Sequence, residues 1–129
     1  MSKRQPLSKA EMEVARIVWE RQQATVREVL ENLPPSRQID YKTVQTFLRR
    51  LETKGYLTSL RNGRSLTYRP TIQPQVVIQE TIDDIVSHLF NGQIGALLDH
   101  LLLEHGLSKT ELDRVQELLS AARARVPVT

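Results

Sequence analysis

The sequence predicts a mainly α-helical fold with a small β-hairpin, organised in two consecutive parts. Three observations lead to this prediction. Helix-capping boxes begin at Ser8, Thr25 and Ser108. An Asn62-Gly63 pair, which is a strong hairpin signal, follows the third helical segment. After Pro70 the apolar residues recur only at helical spacing. With 129 residues, the chain has the length of one domain or of two small units.

Local signals bound the first two helices. In Ser8-Lys-Ala-Glu11 the serine can accept from an amide of the first turn while the glutamate reaches back to the cap. Apolar residues at helical spacing extend this helix from about Lys9 to Arg21. Thr25-Val-Arg-Glu28 begins a shorter second helix. Pro34-Pro35 ends it, because proline lacks the amide hydrogen and restricts the residue before it.

A third helix and a hairpin complete the first half of the chain. Asp40 is a suitable N-cap for a helix over Tyr41 to Lys54, and Gly55 follows where a left-handed residue ends a helix. Two short strands are predicted next, Tyr56–Leu60 and Ser65–Arg69. Three helices followed directly by a hairpin are the pattern of a winged helix-turn-helix. Because the helix-turn-helix is a DNA-binding motif, we expect residues 1–72 to form a winged-helix DNA-binding domain.

The third helix has two faces of different character. Its apolar side, which should pack on the other helices, consists of Val44, Phe47, Leu48 and Leu51. Its polar side carries Lys42, Gln45, Thr46, Arg49 and Thr53, with Arg50 beside them. A solvated helix face usually mixes both charge signs, whereas this one lacks acidic residues. Arginine and lysine can contact guanine, glutamine can pair with adenine, and a threonine methyl can touch thymine. The polar side is therefore a candidate reader of the DNA major groove.

The tip of the hairpin is also basic. A two-residue Asn62-Gly63 loop in a type I′ turn would place Arg61 directly opposite Arg64. Like charges in this position destabilise a hairpin, and a DNA phosphate or the minor groove would relieve the repulsion. We therefore expect both arginines to contact DNA.

Charge divides the chain in the same way. Residues 1–70 hold 14 Lys/Arg and 7 Asp/Glu, and residues 71–129 hold 4 Lys/Arg and 8 Asp/Glu. A basic half joined to an acidic half indicates two tasks, with a polyanion such as double-stranded DNA as the partner of the first.

The second half, residues 73–129, is predicted to be a three-helix dimerisation domain. Its helices span Gln75–Phe90, Gln93–Glu104 and the segment that follows Ser108, with breaks at Asn91-Gly92 and Gly106. A short three-helix tail cannot bury all of their apolar stripes, so a second copy of the chain is the expected partner. The alternative is that this half folds back on the basic half as a compact monomer. The expected contact residues are Ile82, Ile85, Leu89, Leu97, Leu98, Leu101, Leu102, Leu112, Val115 and Leu119.

Several motifs resemble the BlaI/MecI penicillinase-repressor family. They are Leu7-Ser-Lys-Ala-Glu11 with Val18-Trp19, Lys42-Thr-Val-Gln-Thr-Phe-Leu-Arg-Arg-Leu51, Lys54-Gly55, Gly63-Arg64 with Tyr68, and Phe90-Asn91-Gly92. The resemblance implies a homodimeric transcriptional repressor that binds dyad-symmetric operators upstream of β-lactamase or related genes. It also implies base and backbone contacts by Lys42, Thr43, Gln45, Thr46 and Arg49 of the third helix, and by Arg61 and Arg64 of the wing.

The chain departs from the family in its dimerisation half. In the penicillinase repressors a membrane sensor pathway leads to cleavage of an Asn-Phe bond, but the aligned bond here is His100-Leu101. Copper-responsive relatives carry cysteine clusters, whereas this chain has no cysteine. The inducer and the route of inactivation therefore stay open.

The sequence disfavours other classes of protein. The absence of cysteine excludes disulfides, cysteine-ligated metal sites and thiol catalysis. The histidines and carboxylates, such as His100 and Glu104, match no metal or catalytic motif, so we expect neither an enzyme nor a cofactor. Without a membrane-length apolar run or a signal sequence at Met1–Leu7, we expect a cytoplasmic protein with no membrane insertion. The remaining alternative is a winged-helix adaptor that binds protein instead of specific DNA.

Overall fold

The computed structural model describes residues 4–127 and is mainly helical, with one small antiparallel sheet. In chain order the elements are α1 (Lys9–Arg21), β1 (Ala24–Thr25), α2 (Val26–Asn32), α3 (Tyr41–Thr53), β2 (Leu57–Asn62), β3 (Ser65–Pro70), α4 (Pro74–Leu89), α5 (Ile94–Asp99), a π-helix (His100–Glu104) and α6 (Lys109–Arg125). The predicted fold class is confirmed. The chain forms two compact units, of which the first ends at Thr81, within α4, and the second begins at Ile82.

The capping boxes form as predicted. Ser8 Oγ accepts from the Glu11 amide at 3.2 Å, and a Glu11 carboxylate oxygen accepts from the Ser8 amide at 2.8 Å. The same reciprocal pair is present at the start of α2 and of α6. Asp40 caps α3 by accepting from the Thr43 amide at 2.9 Å. Each cap satisfies helix amides that would otherwise lack a partner, which explains why these helices begin where they do.

The end of α3 determines where the hairpin starts. Gly55 has φ +90°, the Tyr56 amide donates to the Leu51 carbonyl at 2.9 Å, and the Gly55 amide donates to the Glu52 carbonyl at 3.1 Å. These are the two hydrogen bonds of a Schellman motif, which needs a left-handed residue after the helix. Since β2 begins two residues later, the hairpin starts directly beside the last turn of α3.

The sheet has three strands, in the order β1-β3-β2, of which β1 was not predicted. This strand is only two residues long, with Ala24 opposite Tyr68 and Thr25 opposite Thr67. Two residues are too few to show the alternation that identifies a strand, and their pairing with β3 is non-local.

The predicted register at the hairpin tip is wrong. Asn62 pairs with Ser65 and Arg61 pairs with Leu66, so the two-residue loop is Gly63-Arg64. Only Gly63 has a positive φ there, +65°, which matches a type II′ turn with glycine at its first central position. The predicted type I′ turn needs positive φ at two residues and sets two arginines opposite each other. The observed turn avoids both costs.

The core of the first unit lies between α1, α2, α3 and the sheet. Val44, Leu48 and Leu51 of α3 are completely buried, as are Val18 of α1 and Val29 of α2. Phe47 is partly buried against the same cluster. The predicted apolar face of α3 is therefore confirmed, and its burial leaves the opposite face in solvent.

An ion pair closes the core near the start of α1. The Glu11 carboxylate is buried and accepts from Lys54 Nζ at 2.7 Å, while Lys54 also donates to the Pro6 carbonyl at 3.1 Å. Burial raises the pKa of Glu11, but hydrogen bonds from Lys54 and Ser8 and the charge of Lys54 outweigh it, so the pKa lies below its usual value.

The second predicted helix of the C-terminal half is not a single α-helix. The segment over 93–104 forms α5 and then the π-helix, whose wider turn is closed by the His105 amide donating to the His100 carbonyl at 2.9 Å. A pattern with 3.6-residue periodicity does not reveal where a helix widens to bonds between residues five apart. The predicted break before α5 is confirmed by positive φ at Asn91 and Gly92.

We expect the substitution Lys54→Met to lower the free energy of unfolding of the first unit by about 2 kcal/mol at neutral pH, because it leaves the Glu11 carboxylate buried without its cation. Urea unfolding followed by fluorescence of Trp19, the only tryptophan, measures this change. The pKa of Glu11 is lowered in the folded protein, so the ion pair stabilises the folded state at pH values above the pKa that this carboxyl group has in the unfolded chain. The difference between the two proteins should shrink as the pH falls through the folded pKa.

Arg16→Met, which breaks a pair with Glu20 that is more than half exposed, should change stability by less than about 0.5 kcal/mol. Equal losses from both substitutions, or a loss independent of pH, would contradict this account.

Candidate nucleic-acid interface

The solvent side of α3 presents the side chains that the sequence analysis selected. Lys42, Thr43, Thr46, Arg49 and Arg50 are exposed, and Gln45 is partly buried. They lie opposite the buried apolar face, so their direction is set by the packing of the core. The Thr46 hydroxyl donates back to the Lys42 carbonyl at 3.0 Å, which leaves the threonine methyl for apolar contact.

The basic residues of this surface have no carboxylate partners among residues 4–127. Elsewhere in the first unit, five cations form ion pairs within the described residues, whereas Lys9, Arg27 and Arg69 do not. The paired residues are Arg4, Arg16, Arg21, Arg37 and Lys54. The unpaired residues of this surface are Lys42, Arg49, Arg50, Arg61 and Arg64. Uncompensated positive charge on one surface attracts a polyanion.

The acidic residues of α3 and its cap, Glu52 and Asp40, form hydrogen bonds that stabilise the fold. Glu52 accepts a hydrogen bond from Ser59 Oγ at 2.8 Å, which ties α3 to β2. Asp40 is held at the helix start, where hydrogen bonds from Thr43 lower its pKa. Neither carboxylate forms an ion pair with the basic residues of α3 in the described part of the chain.

The structure brings α3 and the hairpin together around a cleft of about 440 Å³. Four of the predicted residues line it: Gln45, Arg49, Arg61 and Arg64. In the adjacent core, burial raises the pKa of Tyr68; the charge of Glu52 raises it further and that of Arg49 lowers it. Tyr68 therefore stays neutral.

The other predicted contacts lie outside this cleft. Thr46 and Arg50 line a second hollow of about 590 Å³ on the other side of α3, next to Gln5 and Lys54, and Arg49 borders both. Lys42 and Thr43 lie in the first turn of α3 and line neither space. The predicted residues thus form a continuous band along α3 and across to the hairpin.

Sequence analysis missed two residues of the cleft, Arg27 and Tyr41. The Arg27 guanidinium lies over the Tyr41 ring, 5.7 Å from its centroid. No local signal marks either residue for this site: Arg27 lies inside the capping box that starts α2, and Tyr41 is the first residue of α3. Their contact is between two helices and forms only in the folded structure.

The apolar stripes of the C-terminal helices lie largely in solvent in the single chain. Eight of the ten predicted dimerisation residues are exposed, and two, Leu97 and Val115, are partly buried. The exposed residues are Ile82, Ile85, Leu89, Leu98, Leu101, Leu102, Leu112 and Leu119. His100 and Leu101, at which the sequence resemblance implied a possible processing site, are both exposed at the start of the π-helix.

The described residues hold no group of three His, Asp or Glu side chains placed to bind a metal ion. Within the same part of the chain, every helix is too short or too polar to cross a membrane.

Comparison with known proteins agrees with these features. The family model described as "Penicillinase repressor" matches residues 7–121. The chain is 28% identical to the penicillinase repressor of Bacillus licheniformis, over 97% of this chain and 98% of that protein. It is 31% identical to an uncharacterised 16.5 kDa protein of Latilactobacillus sakei, over 94% of this chain and 83% of that protein.

Solved structures show the same fold. The DNA-binding domain of the repressor BlaI matches with 35% identity and a TM-score of 0.50, over 57% of this chain and 90% of that one. A mutant of the Escherichia coli protein MarR matches with 19% identity and a TM-score of 0.52, over 90% of this chain and 77% of that one, which shows similarity of fold alone. Since the family model spans most of the sequence, the chain belongs to the penicillinase repressor family, whose members are transcriptional repressors and not enzymes.

Proposed function

We propose that this protein is a homodimeric transcriptional repressor that binds dyad-symmetric operator DNA. The band of cations on α3 and the hairpin, unpaired among residues 4–127, is the observation that carries the proposal. In this proposal α3 enters the major groove and the hairpin, as a wing, contacts the backbone or the minor groove. We also propose a cytoplasmic location, because a repressor must have access to the DNA that it binds.

The side chains of α3 divide into two roles. Gln45 and Arg49, at the middle of the helix beside the cleft, have the chemistry to read adenine and guanine. Thr46 offers its methyl to thymine. Lys42 and Thr43 at the first turn, Arg50 at the flank and the wing arginines are suited to phosphate contacts that set register and orientation.

Dimerisation accounts for the second unit. The large apolar side chains exposed on α4, α5, the π-helix and α6 are more than a soluble monomer usually leaves in water. A second copy would bury them and would place two copies of α3 on two half-sites. We propose residues 73–129 as the dimerisation domain and residues 1–72 as the DNA-binding domain. Similarity to the Bacillus licheniformis repressor suggests β-lactamase or related genes as targets.

The direct test is selection of genomic fragments by the purified protein, with binding measured at two salt concentrations. We expect a dyad-symmetric sequence whose affinity falls steeply as salt rises, because phosphate contacts release counterions. Weak enrichment without sequence preference would contradict the proposal and favour a protein-binding adaptor.

Single substitutions separate base contacts from phosphate contacts. Gln45→Ala and Arg49→Ala should relax discrimination at particular base pairs by about 1–3 kcal/mol. Lys42→Ala and Arg61→Ala should weaken binding to all sequences alike and reduce its salt dependence. Fluorescence anisotropy with an operator and its point variants measures both effects. Unchanged affinity in all four variants would place DNA elsewhere on the protein.

The dimer interface is tested by Leu101→Asp. A charge on the apolar surface of the second unit should yield monomers in sedimentation equilibrium and should weaken operator binding, since two half-sites are no longer linked. Leu60→Asp, which adds the same charge to an exposed leucine of the hairpin, should remain dimeric. A dimeric Leu101→Asp variant would show that the interface lies elsewhere.

A further inference from the structure

The cleft between α3 and the hairpin contains a fourth guanidinium from a third element. Arg27 belongs to α2 and lines the cleft together with Arg49, Arg61 and Arg64. None of the ten residues that line the cleft is aspartate or glutamate. Four cations thus converge on one concave space with no carboxylate beside them, which favours occupation by an anion.

Arg27 is held in place without using its hydrogen-bonding edge. Its guanidinium lies over the Tyr41 ring at 5.7 Å from the centroid, and it forms no ion pair or hydrogen bond within residues 4–127. A cation–π contact uses no hydrogen-bond acceptor, so the N–H groups of the guanidinium stay available, and their fork matches two oxygens of a phosphate. The contact favours side-chain conformations that keep the guanidinium at the cleft.

The adjacent carboxylate does not neutralise Arg27. Glu28 accepts from the Thr25 amide at 2.9 Å and from Arg21 Nη2 at 2.7 Å, so it is fully engaged at the start of α2. Hydrogen bonding to the Thr25 backbone is the main cause of its lowered pKa, so this arrangement persists across neutral pH.

We infer that Arg27, positioned by the ring of Tyr41, binds one backbone phosphate of the operator. This inference rests on the proposed function. The phosphate would lie between α2 and the wing, where Arg27, Arg61 and Arg64 would contact the backbone of one DNA strand. Gln45 and Arg49 would reach the base edges beside it. Arg27 lies outside α3, on the helix that crosses the DNA backbone in helix-turn-helix proteins, which favours a phosphate over a base.

The test is a salt titration of Arg27→Ala on the operator obtained by selection. We expect roughly fivefold weaker binding at about 0.1 M salt and a slope of log affinity against log salt that is smaller by about two, because each protomer of the dimer loses one phosphate contact. The ratio of wild-type to variant affinity should therefore shrink about twelvefold between about 50 and 200 mM salt. The ranking of operator point variants should not change. Arg16→Ala removes the same charge from α1, away from the cleft, and should leave the slope as in the wild type.

The positioning role of Tyr41 needs its own pair of variants. Tyr41→Ala removes the ring and should reproduce most of the affinity loss of Arg27→Ala, whereas Tyr41→Phe keeps the ring and should bind like the wild type. In the Arg27→Ala background, Tyr41→Ala should have little further effect because the two residues act together. Melting curves check that each variant is folded.

Each of the following results would contradict a specific part of the inference about Arg27 and Tyr41. An Arg27→Ala variant with wild-type affinity and slope overturns the inference while leaving the proposed function intact. A changed base preference with an unchanged slope overturns the assignment to phosphate. Equal losses in Tyr41→Phe and Tyr41→Ala overturn the role of the ring. If the wild-type protein itself binds no DNA specifically, the proposed function fails and this inference fails with it.

Discussion

The structure depends first on the burial of one face of α3. Val44, Leu48 and Leu51 are completely enclosed by α1, α2 and the sheet, so the rotation of the helix about its own axis is determined. A helix with one buried face has no freedom in what it presents to solvent. The polar residues on the other face are thus pre-organised, and binding DNA would not require them to be ordered as a surface first.

The position of the hairpin is determined by the same helix, α3. The Schellman motif at Gly55 turns the chain straight from α3 into β2, and the hydrogen bond from Ser59 to Glu52 fastens the two elements side by side. With β1 added on the outer edge of β3, the hairpin is part of a sheet that packs on the core. The Glu11–Lys54 pair anchors the other side of the last turn of α3. The four guanidiniums of the cleft therefore stand on elements that are each tied to α3.

Local chemistry explains which parts of this fold the sequence could predict. The helix starts at Ser8, Thr25 and Ser108 are visible because the donor and acceptor lie three residues apart. The apolar face of α3 is visible because its period is that of the helix. Three features depend on residues that meet only after folding. They are the short strand β1, the true register of the hairpin tip and the contact of Arg27 with Tyr41. The error in the predicted register has a local cause. Gly63 can be the second residue of an Asn62-Gly63 turn or the first residue of a Gly63-Arg64 turn. The observed Gly63-Arg64 turn needs a positive φ at Gly63 alone.

The two units differ in how they meet the hydrophobic requirement for folding. The first unit encloses a hydrophobic core of its own, so it can hold the basic surface of α3 without help. The described part of α5, the π-helix and α6 contains no buried residue, although these segments are rich in leucine. Apolar surface left in water costs free energy in proportion to its area, and the proposed partner copy would recover that free energy. Association of the second units would then link two weak half-site contacts into one bivalent complex, whose strength would depend on protein concentration. Repression would therefore respond both to anything that loosens the apolar contact and to a fall in the amount of protein. No change in the DNA-reading surface would be needed.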